Sequence, residues 1–277
     1  NEAHTEGLYA MAFAGTDGVG PDTRHPHRLK NLKLWEVHYA LRSQIPTMLV
    51  EDLTIHNGVY GIYRPWFENH VYRNIRMINT NTEPFNRGLD DRSYQHGSIT
   101  VDGLTFEGVR NGYTPLIQIS ANNATGKAES HFRNVKVVRG KRSTRALVNL
   151  GGGPRLTPKT EKGVPIVIHD WYGPGRHARV VSTRAKDLIN DGNRYRKDEP
   201  LTGDESRVAE VRNVKFPKLL DPVDDLPPIT VVTSVVKKND RWLVRGVSHD
   251  HGAIEKVTVN GQNAEVTGRD AGVIDWK

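Results

Sequence analysis

The sequence predicts an all-β chain, with strands stacked as the coils of a parallel β-helix solenoid and followed by an incomplete β-sandwich. Three observations predict it. A pattern of apolar, any, Asn/Asp/Gly, apolar, any, apolar starts at Leu29, Val50, Tyr72, Val101 and Phe132, with separations of 21, 22, 29 and 31 residues. A period in the twenties marks a stacked repeat, and apolar positions two apart mark a strand. The 26 glycines and 15 prolines favour turns over long helices. Beyond residue 228, alternating runs return at Val231-Val232, Arg241 to Val247 and Ile254 to Gly261, separated by turn-forming residues.

Taken in order, residues 1–28 predict one coil ahead of the first clear repeat, because Leu8, Ala10, Ala12 and Ala14 alternate with Tyr9, Met11 and Phe13. Six of the twelve histidines (4, 25, 27, 38, 56 and 70) fall in the first 70 residues. His38 and His56 occupy different places in their coils, so they are not expected to converge on a metal. Asp17-Gly18 with Asp22 is a thin calcium signal, short of the carboxylates and carbonyls that an oxygen cage needs. No metal or other cofactor is therefore expected.

In the five repeats, the alternating apolar residues are expected to stack inward, with Leu32, Leu53, Ile75, Leu104 and Val135 forming one column. Lys30, Lys33, Arg73, Arg76, Arg133 and Lys136 then face water, where they discourage edge pairing. The Asn/Asp/Gly in third place suits a bend, since these residues tolerate left-handed backbone. The third and fourth coils are longer than the first two, which predicts loops bulging from one side. The first loop, Asn79 to Gly97, gathers Asp90, Asp91, Arg92 and His96, a residue set that sugar-cleaving sites use. The second contains Tyr113, then a strand at Leu116 to Ile119, then Asn122-Asn123 and Thr125-Gly126-Lys127.

Past Gly151-Gly152-Gly153-Pro154 the period fades, with one strand expected at Val164 to Trp171. No Gly-Lys-Ser/Thr follows that glycine run, so it is not a phosphate loop. Residues 190–228 turn to Asp, Glu, Pro and Gly, with one late copy of the pattern at Val211 to Phe216. The expected organisation is a β-helix over 1–189, a Pro/acid-rich linker over 190–228 and a partial sandwich over 229–277.

The net charge of +7 is uneven: Lys127 to Lys162 holds ten Lys or Arg against Glu129 and Glu161. Such a field attracts a polyanion, while a merely solvated basic face is the plain alternative. An acidic polysaccharide, a nucleic acid and an anionic lipid are the candidate partners by charge. Nucleic acid is disfavoured because no recognition fold or aromatic-basic motif accompanies the charge. No run approaches the ~18 apolar residues of a membrane span. The chain has no cysteine, hence neither a disulfide frame nor a thiolate site. Its start at Asn1 predicts processing or a piece of a larger polypeptide.

The recurring repeats, with corners such as His56-Asn57-Gly58 and Asn111-Gly112, resemble the right-handed parallel β-helix repeats of the pectin-lyase-like type over roughly residues 28–150. That group contains pectin and alginate lyases, polygalacturonases, hyaluronan-depolymerising proteins, viral tailspikes and modules without known catalysis. The resemblance implies an extracellular or cell-envelope module that binds an acidic polysaccharide and leaves open its depolymerisation by a lyase or a glycoside hydrolase. The alternative is a non-catalytic structural or adhesion module.

For a hydrolase, the resemblance implies the order Asn79-Thr80-Asn81, Asp90-Asp91, His96-Gly97 of polygalacturonases. Here Asp91 and His96 are five residues apart rather than about a coil, and Asn81 stands where an acid is required. A structural turn network is the plain alternative. For a lyase, it implies cations that neutralise a uronate and supply the base, for which Lys136, Arg139, Lys141, Arg142 and Arg145 are the candidates. The tail resembles bacterial immunoglobulin-like modules in Val244-Arg245-Gly246, the Asp250 to Gly252 turn and Val257-Thr258-Val259-Asn260-Gly261.

Overall fold

A computed structural model describes residues 2–5, 7–14, 21–63, 65, 69–89, 99–111, 116–121, 130–139, 147, 166–169, 178–181, 208–211, 215–250, 252–270 and 272–277. All regular elements among them are strands. The chain divides into two compact units, Asn1–Asp221 and Pro222–Lys277.

In the first unit, strands come in pairs along the chain: β1 (Glu2–His4) and β2 (Tyr9–Ala14), β3 (His27–Trp35) and β4 (Tyr39–Gln44), β5 (Met48–His56) and β6 (Tyr60–Tyr63). The series continues with β7 (His70–Ile78) and β8 (Glu83–Leu89), β9 (Ile99–Val109) and β10 (Ile117–Ala121), then β11 (Ser130–Arg139). The first member of each pair joins one sheet and the second joins another. From β1 to β11 every pairing in both sheets is parallel.

Register follows the sequence pattern. Leu32, Leu53, Ile75, Leu104 and Val135 are successive partners and form one column. Leu34, Ile55, Met77, Phe106 and Val137 form a second, and Met11, Leu41, Ile62, Phe85 and Ile117 face them from the other sheet. Most of these side chains are fully buried in one continuous core, each contributing about 1.5–3 kcal/mol relative to exposure.

The third place of the repeat has a specific mechanical role. Inward positions along β5 are Met48, Val50, Leu53 and Ile55, so the alternation slips by one residue at Asp52. That slip needs a left-handed residue. Asn31, Asp52, Asn74, Gly103 and Asn134 all supply it, with φ of 56, 56, 55, 84 and 55°. A second left-handed column, Thr5, Glu36, Asn57, Asn79 and Gly108, turns the chain out of the long strands.

Beyond β11 the stacking order changes. The strand β12 (Ile166–Ile168) is parallel to β11, but β13 (Ala178–Val181) and β14 (Val208–Val211) add antiparallel. The late pattern copy at 211–216 therefore begins where an antiparallel strand ends.

The second unit holds β15 (Ile229–Lys238), β16 (Arg241–His249), β19 (Val266–Asp270) and β20 (Val273–Trp276) in an antiparallel sheet of order β15-β16-β20-β19. A small hairpin, β17 (Thr258–Val259) with β18 (Gln262–Asn263), lies alongside in sequence. Of the run expected as a strand from Ile254, only Thr258–Val259 enters a ladder. Ile254 and Val257 instead bury themselves in the small core with Ile274 and Trp276.

Candidate functional site

Two outward-facing rows on the first unit carry its polar chemistry. On the long sheet, the second place of each repeat is occupied by Lys30, Glu51, Arg73, Asp102 and Arg133, which are register partners in that order. Their charges alternate in sign across five neighbouring strands. Glu51 is held between Arg28 (2.9 Å) and Arg73 (3.0 Å), and Asp102 accepts from Arg133 Nη2 at 2.6 Å. Further along β7 and β9, Arg76 donates through Nε and Nη2 to Glu107 at 2.7 and 2.8 Å.

Two of these pairs favour the charged form of their acid. Hydrogen bonds from Arg133 first, then Asn134, hold the Asp102 carboxyl below its usual range despite partial burial. Arg76 holds Glu107 down in the same way. Asn74 also donates to Asp52 (2.6 Å) and Asn134 to Asp102 (2.7 Å), tying the left-handed column to its neighbours. Among the described residues, the long sheet thus pairs most of its cations with its own acids. Lys30 and Lys136 are exposed and take part in none of these ion pairs.

The second sheet presents different chemistry. Tyr9, Tyr39 and Tyr60 are register partners on β2, β4 and β6, followed by Glu83 on β8. The Tyr39 and Tyr60 rings stack at 4.4 Å between centroids with 14° between planes, and Tyr9 lies 5.0 Å from Tyr39. Tyr63 packs at 4.7 Å from Tyr39, and His38 sits 4.7 Å from Tyr39 and 5.3 Å from Tyr60. Arg42 donates to the Tyr9 hydroxyl at 3.1 Å, with its guanidinium 5.2 Å from that ring. Arg42, Tyr63 and Asn86 form the adjoining row.

The four tyrosines and Arg42 are half-buried, and His38 is exposed. Ring pairs of this kind contribute about 0.5–1.5 kcal/mol beyond their buried area. The cluster is therefore a stabilising stack and a surface at once. Burial first, then Tyr39 and Glu83 beside it, pushes the Tyr60 phenol above its usual range, so it stays a neutral hydrogen-bonding group. Chemically, this face offers phenol edges and hydroxyls, one guanidinium and one imidazole, all within three neighbouring strands.

Of the residues expected to act, Asp90, Asp91, Arg92 and His96 lie outside the described residues, as do Lys141, Arg142 and Arg145. Lys136 is exposed on β11 opposite Thr105, and Arg139 ends that strand after a register shift. Asn79 takes a left-handed corner. Asn81 accepts from the Arg110 backbone N–H at 2.9 Å and donates to the Gly108 carbonyl at 3.2 Å, which is turn chemistry. Among the described residues no three His, Asp or Glu side chains converge as metal ligands. No described helix is long and apolar enough to cross a membrane.

No family model, curated protein or solved structure matches the chain. The geometry alone therefore carries any reading of function.

The tyrosine cluster was missed in the sequence although its signal was there. Tyr39 and Tyr60 each stand ten residues after the start of a repeat, at Leu29 and Val50, so the same period that aligned the leucines aligned these rings.

Proposed function

We propose that the first unit is a right-handed parallel β-helix that binds an acidic polysaccharide of an extracellular or cell-envelope setting, and that the second unit is a partial immunoglobulin-like sandwich appended to it. The observation that carries this reading is the half-exposed row Tyr9–Tyr39–Tyr60 with Tyr63, His38 and Arg42 beside it. A polymer laid across the strands meets one rung about every 4.8 Å, so a repeating ligand can use a repeating row. Aromatic side chains with wet polar tips suit such contacts, and a guanidinium suits a carboxylate or sulfate. The basic stretch from Lys127 to Lys162 supports the same sign of ligand.

Depolymerisation by Asp90, Asp91, Arg92 and His96, or by a base among Lys136, Arg139, Lys141, Arg142 and Arg145, is the catalytic extension of this proposal. A second reading, a non-catalytic structural or adhesion module, is favoured by a specific observation. The long sheet pairs Arg28, Arg73, Arg76 and Arg133 with its own acids, leaving that face without strong attraction for a polyanion.

Binding to hyaluronan, alginate, pectate and heparin, followed by the ultraviolet band of unsaturated uronates and by reducing-end release, separates these readings. We expect Arg42→Gln to weaken retention about tenfold, the equivalent of one charge-assisted hydrogen bond. Replacing Lys141, Arg142 and Arg145 with Ala should flatten its salt dependence. Failure to bind any of the four favours the structural module. Binding that Arg42→Gln and Tyr60→Phe leave unchanged removes the tyrosine face from the account.

A further inference from the structure

We propose that β15 is a self-recognition edge, through which two copies of this chain join by antiparallel strand pairing about a two-fold axis between Thr233 and Ser234. Among the described residues the strand lies at the edge of its sheet, paired with β16 on one side only. It is long, and its aliphatic residues are exposed on both faces: Ile229 at 67%, Val231 and Val235 at 55%, Val232 at 54% and Val236 at 53%. A monomer gains nothing from so much exposed apolar strand, and edges of this kind are templates for pairing.

The sequence of the strand identifies the occupant. Val231-Val232-Thr233-Ser234-Val235-Val236 reads nearly the same in both directions. In an undistorted strand such a six-residue palindrome cannot be two-fold symmetric, because Val232 and Val235 would point to opposite faces. The β-bulge in β15 removes that obstacle. Val232 partners Gly246 while Val235 partners Val244, so after the register shift both lie on one face, and Val231 and Val236, opposite Val247 and Leu243, lie on the other. A perpendicular two-fold axis then sets Val232 against Val235 of the second copy, and Val231 against Val236, on both faces at once. The interface is isologous and closes with two copies.

Charge selects the antiparallel direction. Lys237 and Lys238 end the strand, and Asp224 and Asp225 precede it by a few residues. Parallel pairing would set lysine against lysine. Antiparallel pairing sends the lysines of each copy towards the acidic approach of the other.

Sedimentation velocity and light scattering on the full chain across a hundredfold concentration range test this. The expected result is a doubling of mass with concentration and no larger species. Val232→Lys with Val235→Lys sets like charges opposite each other at both positions and should abolish the doubling. Val232→Lys with Val235→Glu sets opposite charges against each other in this register and should restore most of it. Circular dichroism and tryptophan fluorescence of each variant report that the fold is kept. A native chain that stays monomeric throughout, open-ended oligomers, or failure of the charge-swapped pair to recover while both variants fold would each overturn the proposal.

Discussion

The strands β9 and β15 are close in length and similarly rich in branched apolar residues, yet they live in opposite environments. In β9, Ile99, Val101, Leu104, Phe106 and Val109 are all buried, whereas nearly every residue of β15 is exposed. The first has parallel neighbours on both edges and a second sheet across its inner face. The second has one neighbour among the described residues. Strand propensity is thus common to both, and what differs is coverage, which depends on what stacks above and below.

The largest expected contrast is in side-chain truncation. Leu104→Ala should destabilise the first unit by about 2–5 kcal/mol in chemical denaturation, because rigid neighbours on every side leave a cavity. Val232→Ala, measured at concentrations where the chain is monomeric, should change stability by less than about 0.5 kcal/mol. Comparable losses at the two sites would erase the distinction between the strands.

A smaller contrast separates two glycines that share a left-handed backbone. At Gly108 (φ 63°) an added Cβ would lie 2.0 Å from Asn79 Oδ1, while at Gly261 (φ 80°) it would meet nothing within 4 Å. Alanine should therefore cost about 1 kcal/mol at Gly261 from backbone strain alone, and about 2–3 kcal/mol at Gly108. Equal costs would mean that the corner column does not bring neighbouring repeats into contact.

The smallest expected effect is electrostatic. Asp102→Asn removes the partner of Arg133 and should cost under about 1 kcal/mol at neutral pH, since solvent screens the pair. The sign with pH is definite. Asp102 and Glu107 are depressed in the folded state, so their contribution is present above the unfolded carboxyl range and is lost as acid titrates the folded groups. Burial likewise depresses His27, whose neutral ring packs on Phe13, and this contribution begins to fall below about pH 6.5. Acid should thus lower the unfolding midpoint of the first unit in two stages, and Asp102→Asn should reduce the second.

Much of the first unit was legible because its information is periodic. The column Leu32-Leu53-Ile75-Leu104-Val135 follows directly from repeat starts, since equal places in parallel repeats become register partners. The alternating row Lys30-Glu51-Arg73-Asp102-Arg133 was equally present in the second place of the repeat, where cations and acids take turns. The second sheet was harder to see. Its strands are short, and three of them break alternation, with Ala40 and Leu41, Gly61 and Ile62, and Pro84 and Phe85 buried in succession. In the second unit Val231-Val232 falls within β15 and the run Arg241 to Val247 within β16, yet nothing in a run of valines says whether a partner covers them.

The stacking register can be tested directly, since the chain has no cysteine of its own. Thr54 and Arg76 are register partners on adjacent strands, and Thr105 is one strand further on. Replacing Thr54 and Arg76 by Cys brings two thiols within the ~4.4–6.8 Å Cα separation that a disulfide accepts, whereas Thr54 and Thr105 lie about 9.6 Å apart across two strand spacings. Under mild oxidation the first pair should close nearly quantitatively in the folded chain and the second should not. Closure of the Thr54/Thr105 pair, or its absence in the Thr54/Arg76 pair, would contradict the in-register stacking on which everything else rests.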